Sequence, residues 1–129
     1  DMQKLPDTET AVMLALWDAS EAAPRSYIDQ KLNHRNLTAN TVNTYLSRLQ
    51  DKVFVSFERR GRVNYYTPLI QREDYLEFES ATFLNKLYNN SLKNCIVSLS
   101  GAEVMKEEDI SELQNLLESM KGGSGNGSD

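Results

Sequence analysis

The feature that most constrains this fold is the order of its patterns. Three short amphipathic stretches at helical spacing are followed by one alternating hairpin, all before residue 70. "LPDTETAVMLALWDAS" places Val12, Met13, Leu16 and Trp17 on one helical face. Asp7 or Thr8 is suited to cap that helix, and Glu9 suits the positive end of its dipole. "SEAAP" breaks it. Pro24 fits the first position of a second helix, Arg25 to Asn33, which offers Ile28 and Leu32 to a core. After the turn "NHRN", Thr38 is placed to cap a third helix running to about Lys52. "VFVSFE" and "VNYYTP" alternate about a turn at Gly61, and Pro68 closes the second strand. Helix, helix, helix, hairpin is the order of a winged helix-turn-helix, in which the third helix faces DNA.

That third helix, "TANTVNTYLSRLQ", has an unusual polar side. Val42, Leu46 and Leu49 form its apolar row, while Asn40, Thr41, Asn43, Thr44, Ser47 and Arg48 lie opposite. A solvated face is normally built from Glu, Lys and Gln, which favour helix; Asn, Thr and Ser do not. Their short groups do suit base edges. Asn pairs bidentately with adenine, Thr hydrogen-bonds a base and touches the thymine methyl, and Arg binds guanine or phosphate. Arg59, Arg60 and Arg62 at the hairpin tip are placed to grip the backbone beside the groove. The candidate DNA-binding set is therefore Thr38, Asn40, Thr41, Asn43, Thr44, Ser47, Arg48, Arg59, Arg60 and Arg62.

Charge argues the same way once it is divided. The whole chain carries a formal −5, but residues 25–72 hold 9 cations against 3 carboxylates, a net +6. Residues 73–129 hold 4 against 11, a net −7. A concentrated basic block is what a phosphate-binding surface needs. The acidic remainder is a different module.

In that module "REDYLEFESATFLNKLYNN" reads as a long helix, "SLKNCIVSLSG" as a short one ended at Gly101, and "KEEDISELQNLLESM" as a last amphipathic helix. Some 50 residues in three such helices make a poor free-standing core. A second copy of the chain, interlocked about a two-fold axis, is the simplest cover for their apolar stripes. The residues assigned to that interface are Leu76, Phe83, Leu84, Leu87, Ile96, Ile110, Leu113 and Leu117. The expected organisation is a mainly α chain with a small β-hairpin. It comprises a winged domain at 1–70, a helical dimerisation domain at 71–121 and a flexible tail at 122–129.

The chain resembles the bacterial penicillinase-repressor family, of the BlaI/MecI/CopY type, along nearly its whole length. "DTETAVMLALW" matches the family's D-x-E-x-x-V-M-x-x-L-W, "TVNTYLSRL" matches T-V-x-T-L-L-x-R-L except at Tyr45, and "GRVNYYTPLI" is like G-R-x-x-x-Y-x-P-L-V. The resemblance implies a dimeric repressor of its own operon and of resistance or metal-export genes, acting on a palindromic operator. It places Thr41, Thr44 and Arg48 where the family contacts DNA. Departures are visible as well. Asn40 and Asn43 stand where the β-lactam-responsive members usually carry basic residues. Val53 stands where glycine normally precedes the first wing strand. In the β-lactam branch a membrane sensor-protease triggers cleavage of the dimerisation domain. The corresponding stretch, Cys95 to Leu99, lacks the Asn-Phe pair cut there, which leaves that mode of induction open.

Other chemistry is sparse. Cys95 is the only cysteine, so neither an internal disulfide nor a thiolate metal cluster can form. This suits a reducing cytoplasm. No apolar run approaches a membrane span. His34 reads as a surface residue, and Glu107, Glu108 and Asp109 as a helix start rather than a metal site. No nucleophile–base pair, phosphate loop or metal-ligand spacing is present, so neither enzyme nor cofactor is expected. The competing expectations are a winged-helix module that binds a protein partner and a small-molecule-responsive regulator without proteolytic induction.

Overall fold

Helix α1 spans Asp7–Asp18 and buries one face. The computed structural model describes residues 2–127, with side chains as far as residue 122. Ala11, Val12, Met13, Ala15 and Leu16 of α1 are all buried. The N-cap position is Pro6, not Asp7 or Thr8, and no side chain caps it. Asp7 and Glu9 still lie in the first turn, where the dipole favours them.

Strand β1, Ala23–Pro24, precedes α2, Arg25–Lys31. The sequence reading had no such strand, because a two-residue pairing leaves no period to detect. Pro24 caps α2 from the extended region, and α2 ends short of Asn33, with Asn33–Arg35 forming one 3-10 turn. Helix α3, Ala39–Asp51, leads to β2, Val55–Arg60, and β3, Val63–Pro68. The sheet is antiparallel in the order β1-β3-β2. It has one strand more than the expected hairpin, and its register pairs Phe57 with Tyr66 and Arg60 with Val63.

Val53 belongs to the helix end rather than to the strand. Its N–H donates to the Gln50 carbonyl at 3.0 Å, and that of Phe54 to Leu49 at 2.8 Å. This is a Schellman termination with Val53 in the left-handed position, φ 63°. Phe54 and Leu49 are both fully buried and supply its apolar contact. Helix α5, Leu92–Gly101, ends in the same way, with Glu103 at φ 61° in the left-handed position. Gly101 is thus the last helical residue and not the chain-reversing one.

The core gathers α1, α2, α3 and the sheet, with Ile28, Leu32, Val42, Leu46, Leu49, Phe54, Val55 and Tyr66 buried beside the α1 residues. The chain divides into two compact units, Asp1–Ser80 and Ala81–Asp129. The division falls within α4, Arg72–Tyr88, rather than before it. Tyr75 lies 5.7 Å from the Trp17 ring and 5.8 Å from Phe54, centroid to centroid, which anchors the first turns of α4 to the winged unit. The Tyr75 hydroxyl accepts from Leu5 N–H and donates to Glu79, both at 2.9 Å. Trp17 Nε1–H donates to the Ile70 carbonyl at 2.8 Å.

The second unit comprises the end of α4, α5 and α6, Glu107–Gly127. The α6 backbone is helical through residues 122–127, where a flexible tail was expected. No proline interrupts it there, although each glycine costs about 1 kcal/mol relative to alanine. Residues 128–129 of that expected tail lie outside the described residues. Among residues 81–122 no side chain is buried.

Candidate nucleic-acid interface

Helix α3 sorts its side chains as its period demands. Val42, Leu46 and Leu49 are buried, while Asn40, Asn43, Thr44, Ser47 and Arg48 are exposed and Thr41 is half-exposed. Thr38 is the N-cap. Its Oγ1 accepts from the Thr41 N–H at 3.1 Å and lies 2.8 Å from Thr41 Oγ1. Such a cap stabilises by about 1 kcal/mol, so Thr38 has a structural task of its own. Thr44 Oγ1 donates to the Asn40 carbonyl at 3.0 Å and keeps acceptor capacity. The Arg48 guanidinium lies 5.3 Å over the Tyr45 ring, which steadies a long side chain at a surface.

The far end of α3 is held from below. Lys52, its C-cap, pairs with Glu9 of α1, whose side chain is only 2% exposed. The exposed face of α3 is therefore fixed at both ends, by Thr38 and by the Lys52–Glu9 pair with the Schellman turn. A rigid support of this kind is what base readout requires, since a loose helix would place no donor reliably.

At the wing, Gly61 has φ 65° in a two-residue connection, the pattern of a type II′ turn with glycine first. Arg59 Nε–H donates to the Gly61 carbonyl at 3.0 Å. The strand pleat sends Arg59 and Arg60 to opposite faces. Arg60 donates to Glu58 at 2.8 Å and lies 4.5 Å over the Tyr65 ring. The hydrogen bond to Glu58 holds the Arg60 guanidinium still more firmly protonated. Arg59 and Arg62 instead line a cleft of about 340 Å³ together with Asn43 of α3 and Asn64 of β3.

That cleft also contains Arg25 and Ser26 from the start of α2. Sequence reasoning did not select them. Arg25 stood inside the +6 block, but only the pairing of Pro24 with Tyr65 reveals that α2 begins beside the wing. Arg25 Nε–H donates to Asp29 Oδ2 at 3.1 Å, one turn on.

In the second unit, Phe83, Leu87, Ile110 and Leu117 are exposed, and Leu84, Ile96 and Leu113 are half-buried. Leu76, in the first unit, is exposed too. The Phe83 and Tyr88 rings sit 5.8 Å apart. Cys95 is half-buried in α5. Among the described residues no group of three or more His, Cys, Asp or Glu is arranged to hold a metal, and no helix is long and apolar enough to cross a membrane.

The sequence profile of the family described as "Penicillinase repressor" matches residues 5–119. The chain belongs to the penicillinase-repressor family. As a member it is a DNA-binding transcriptional repressor rather than an enzyme. The penicillinase repressor of Bacillus licheniformis is 32% identical over 123 residues, covering 93% of this chain and 96% of its own length. The methicillin resistance regulatory protein MecI of Mammaliicoccus sciuri is 24% identical over 114 residues, with 88% and 93% covered. Among solved structures, monomeric BlaI of Bacillus licheniformis in complex with the blaP half-operator shows 29% identity and a TM-score of 0.48. It covers 58% of this chain and 92% of that one. Within the penicillinase-repressor frame, the face of α3 and the wing cleft form the candidate interface of this chain.

Proposed function

We propose that this repressor works as a homodimer on a two-fold-symmetric operator, silencing resistance or related stress genes in the cytoplasm. Helix α3 enters the major groove with Asn40, Thr41, Asn43, Thr44, Ser47 and Arg48 toward the bases, Thr38 at its mouth, and Arg59, Arg60 and Arg62 on the flanking backbone. The unit ending at Ser80 carries the reading head, and the helices after it pair the two copies. Arg60 contributes less than its neighbours, since Glu58 neutralises much of its charge. Release by a membrane sensor-protease would require α5 to open around Cys95 to Leu99, because those residues are helical.

The observation that carries this reading is the exposed face of α3, short amides and hydroxyls with one arginine, running into an arginine-lined cleft through Asn43. The pairing rests on a second observation. The helices of residues 81–122 bury nothing within one chain, while Leu87, Val97, Leu116 and Met120 are each more than half exposed. Such faces require a partner, and a second copy offers a self-complementary one.

The test is a fluorescence-anisotropy titration of the full chain on the region upstream of its own gene, against a scrambled duplex, with sedimentation of the same sample. Preferential binding by a dimer is expected. Arg48→Ala should weaken the preferred duplex about tenfold or more, as loss of a charge-assisted base or phosphate contact does. A monomer, or equal affinity for both duplexes, would defeat the proposal.

A further inference from the structure

The cleft between α2 and the wing has the lining that an anion would require. It is concave, it opens beside the reading helix, and its polar lining includes Arg25, Ser26, Asn43, Arg59, Arg62 and Asn64 with no carboxylate. Arg25 and Arg59 each use Nε–H internally, Arg25 on Asp29 and Arg59 on Gly61. Those bonds fix the direction of each guanidinium and leave its terminal N–H groups to a ligand. Asp29 offsets one cation, so three arginines leave a net +2 at the site, enough to hold a single anionic group against solvent. Arginine forks match the tetrahedral, multi-oxygen geometry of phosphate better than a point charge does.

We infer that this cleft seats one backbone phosphate of the bound duplex, with Arg25 as its anchoring donor and Asp29 as the group that aims Arg25. The inference rests on the DNA reading above and adds to it a contact from α2. Asn43 belongs both to the base-reading face and to the cleft, so a duplex lying along α3 brings a phosphate to the cleft without further movement. The seat fixes the register of the reading helix from its side, while the bases below supply the sequence preference. Position decides for a phosphodiester over a free phosphate ion, because a site open along the reading face is covered once the duplex arrives.

The experiment is the full chain titrated on its preferred duplex across a salt series, as wild type, Arg25→Ala, Arg25→Lys and Arg48→Ala. A parallel set of duplexes carries a neutral methylphosphonate at one phosphate at a time. Removing one phosphate contact lowers the salt exponent by about 0.9 and weakens binding about fivefold near 0.15 M salt. Arg25→Ala removes one such contact from each copy of the dimer, so the exponent should fall by about 1.8 and binding should weaken about thirtyfold, and Arg25→Lys should restore the exponent but only part of the affinity. One methylphosphonate position per half-site should weaken wild type and leave Arg25→Ala unaffected, a signature that a merely structural role of Arg25 would not give. If Arg25→Ala binds like wild type while Arg48→Ala is weakened, the seat is wrong and the DNA reading stands. If wild type prefers no duplex, the DNA reading itself falls and the seat with it. Inorganic phosphate at fixed ionic strength should not displace the duplex. Displacement from wild type but not from Arg25→Ala would assign the cleft to the free ion instead.

Discussion

Val53 offers a direct measure of how the reading helix is ended. It occupies the left-handed position of a Schellman turn at φ 63°, with 63% of its surface exposed. A β-branched residue there pays about 2 kcal/mol in backbone strain. Val53→Gly removes that strain. Against the gain stands the greater freedom of glycine in the unfolded chain, roughly 0.7 kcal/mol. The burial of about a third of a valine side chain is also lost, roughly 0.5 kcal/mol. The balance is a stabilisation of roughly 0.5–1 kcal/mol, a rise of a few degrees in the melting midpoint of a unit this size.

Val53→Ala separates the terms. It gives up the buried methyl groups but keeps the Cβ that causes the strain, so it should be no more stable than wild type. Both variants are measured by urea unfolding and thermal melts at one protein concentration, since the stability of the proposed dimer would depend on concentration. DNA affinity should not move, because Val53 lies beyond the exposed face. A Val53→Gly protein that melts with or below Val53→Ala would show that the strain is relieved elsewhere, and the reasoning about this turn would be wrong.

Two further outcomes follow from buried polar groups of the first unit. Tyr75→Phe strands the Leu5 N–H and one Glu79 oxygen, and should cost about 1–3 kcal/mol in urea unfolding. Burial pushes the Tyr75 phenol above its ordinary 10.0, with the neighbouring Glu79 adding to the effect. Its stabilisation is thus whole below pH 10.0 and is lost as pH rises through the higher folded value. Wild type should therefore lose stability more steeply above pH 10.0 than Tyr75→Phe, and parallel alkaline melts would refute the assignment. Lys52→Met leaves the Glu9 carboxylate buried without its cation and should cost about 3 kcal/mol. Adding Glu9→Gln should recover part of that loss in the same assay, and no recovery would mean the pair is not what fixes the end of α3.

Much of this architecture was legible in the chain, for reasons that differ by element. The apolar row of α3 was readable because burial on one side only imposes a 3.6-residue period on Val42, Leu46 and Leu49. The wing was readable because Gly61 and the alternation around it are local signals. What stayed hidden was non-local. Strand β1 exists only through its pairing with β3, and Arg25 reaches the cleft only because of that pairing. The end of α3 near Lys52 was legible, but the start of β2 was placed two residues early, because valine sits where a glycine would have announced the turn and "VFV" passed for a strand start. The α1 cap was misassigned because Pro6 can enter the helix without any side-chain cap, while Asp7 and Thr8 look like better candidates one or two residues too late. In the second unit, the apolar stripes told that a surface must be covered but carried no information on its cover within one chain.

The division of charge has a consequence for the proposed operator binding. The chain as a whole is acidic, with a formal −5, so its far field repels DNA rather than attracting it. Beyond a Debye length of about 8 Å at physiological salt that repulsion is screened, and what remains is the local field of the +6 segment at close range. Non-specific binding depends on phosphate contacts alone, whereas specific binding adds base contacts made only in register. At lower salt, where screening is weaker, the acidic remainder would penalise loose association with any duplex, while leaving the proposed short-range contacts of Arg25, Arg48, Arg59 and Arg62 intact. Because Asn40 and Asn43 add no charge to the reading face, that face contributes hydrogen bonds instead of general attraction. In the proposed dimer, two heads would double the number of contacts made together, and so would convert a weaker half-site interaction into one that depends steeply on whether the copies remain paired.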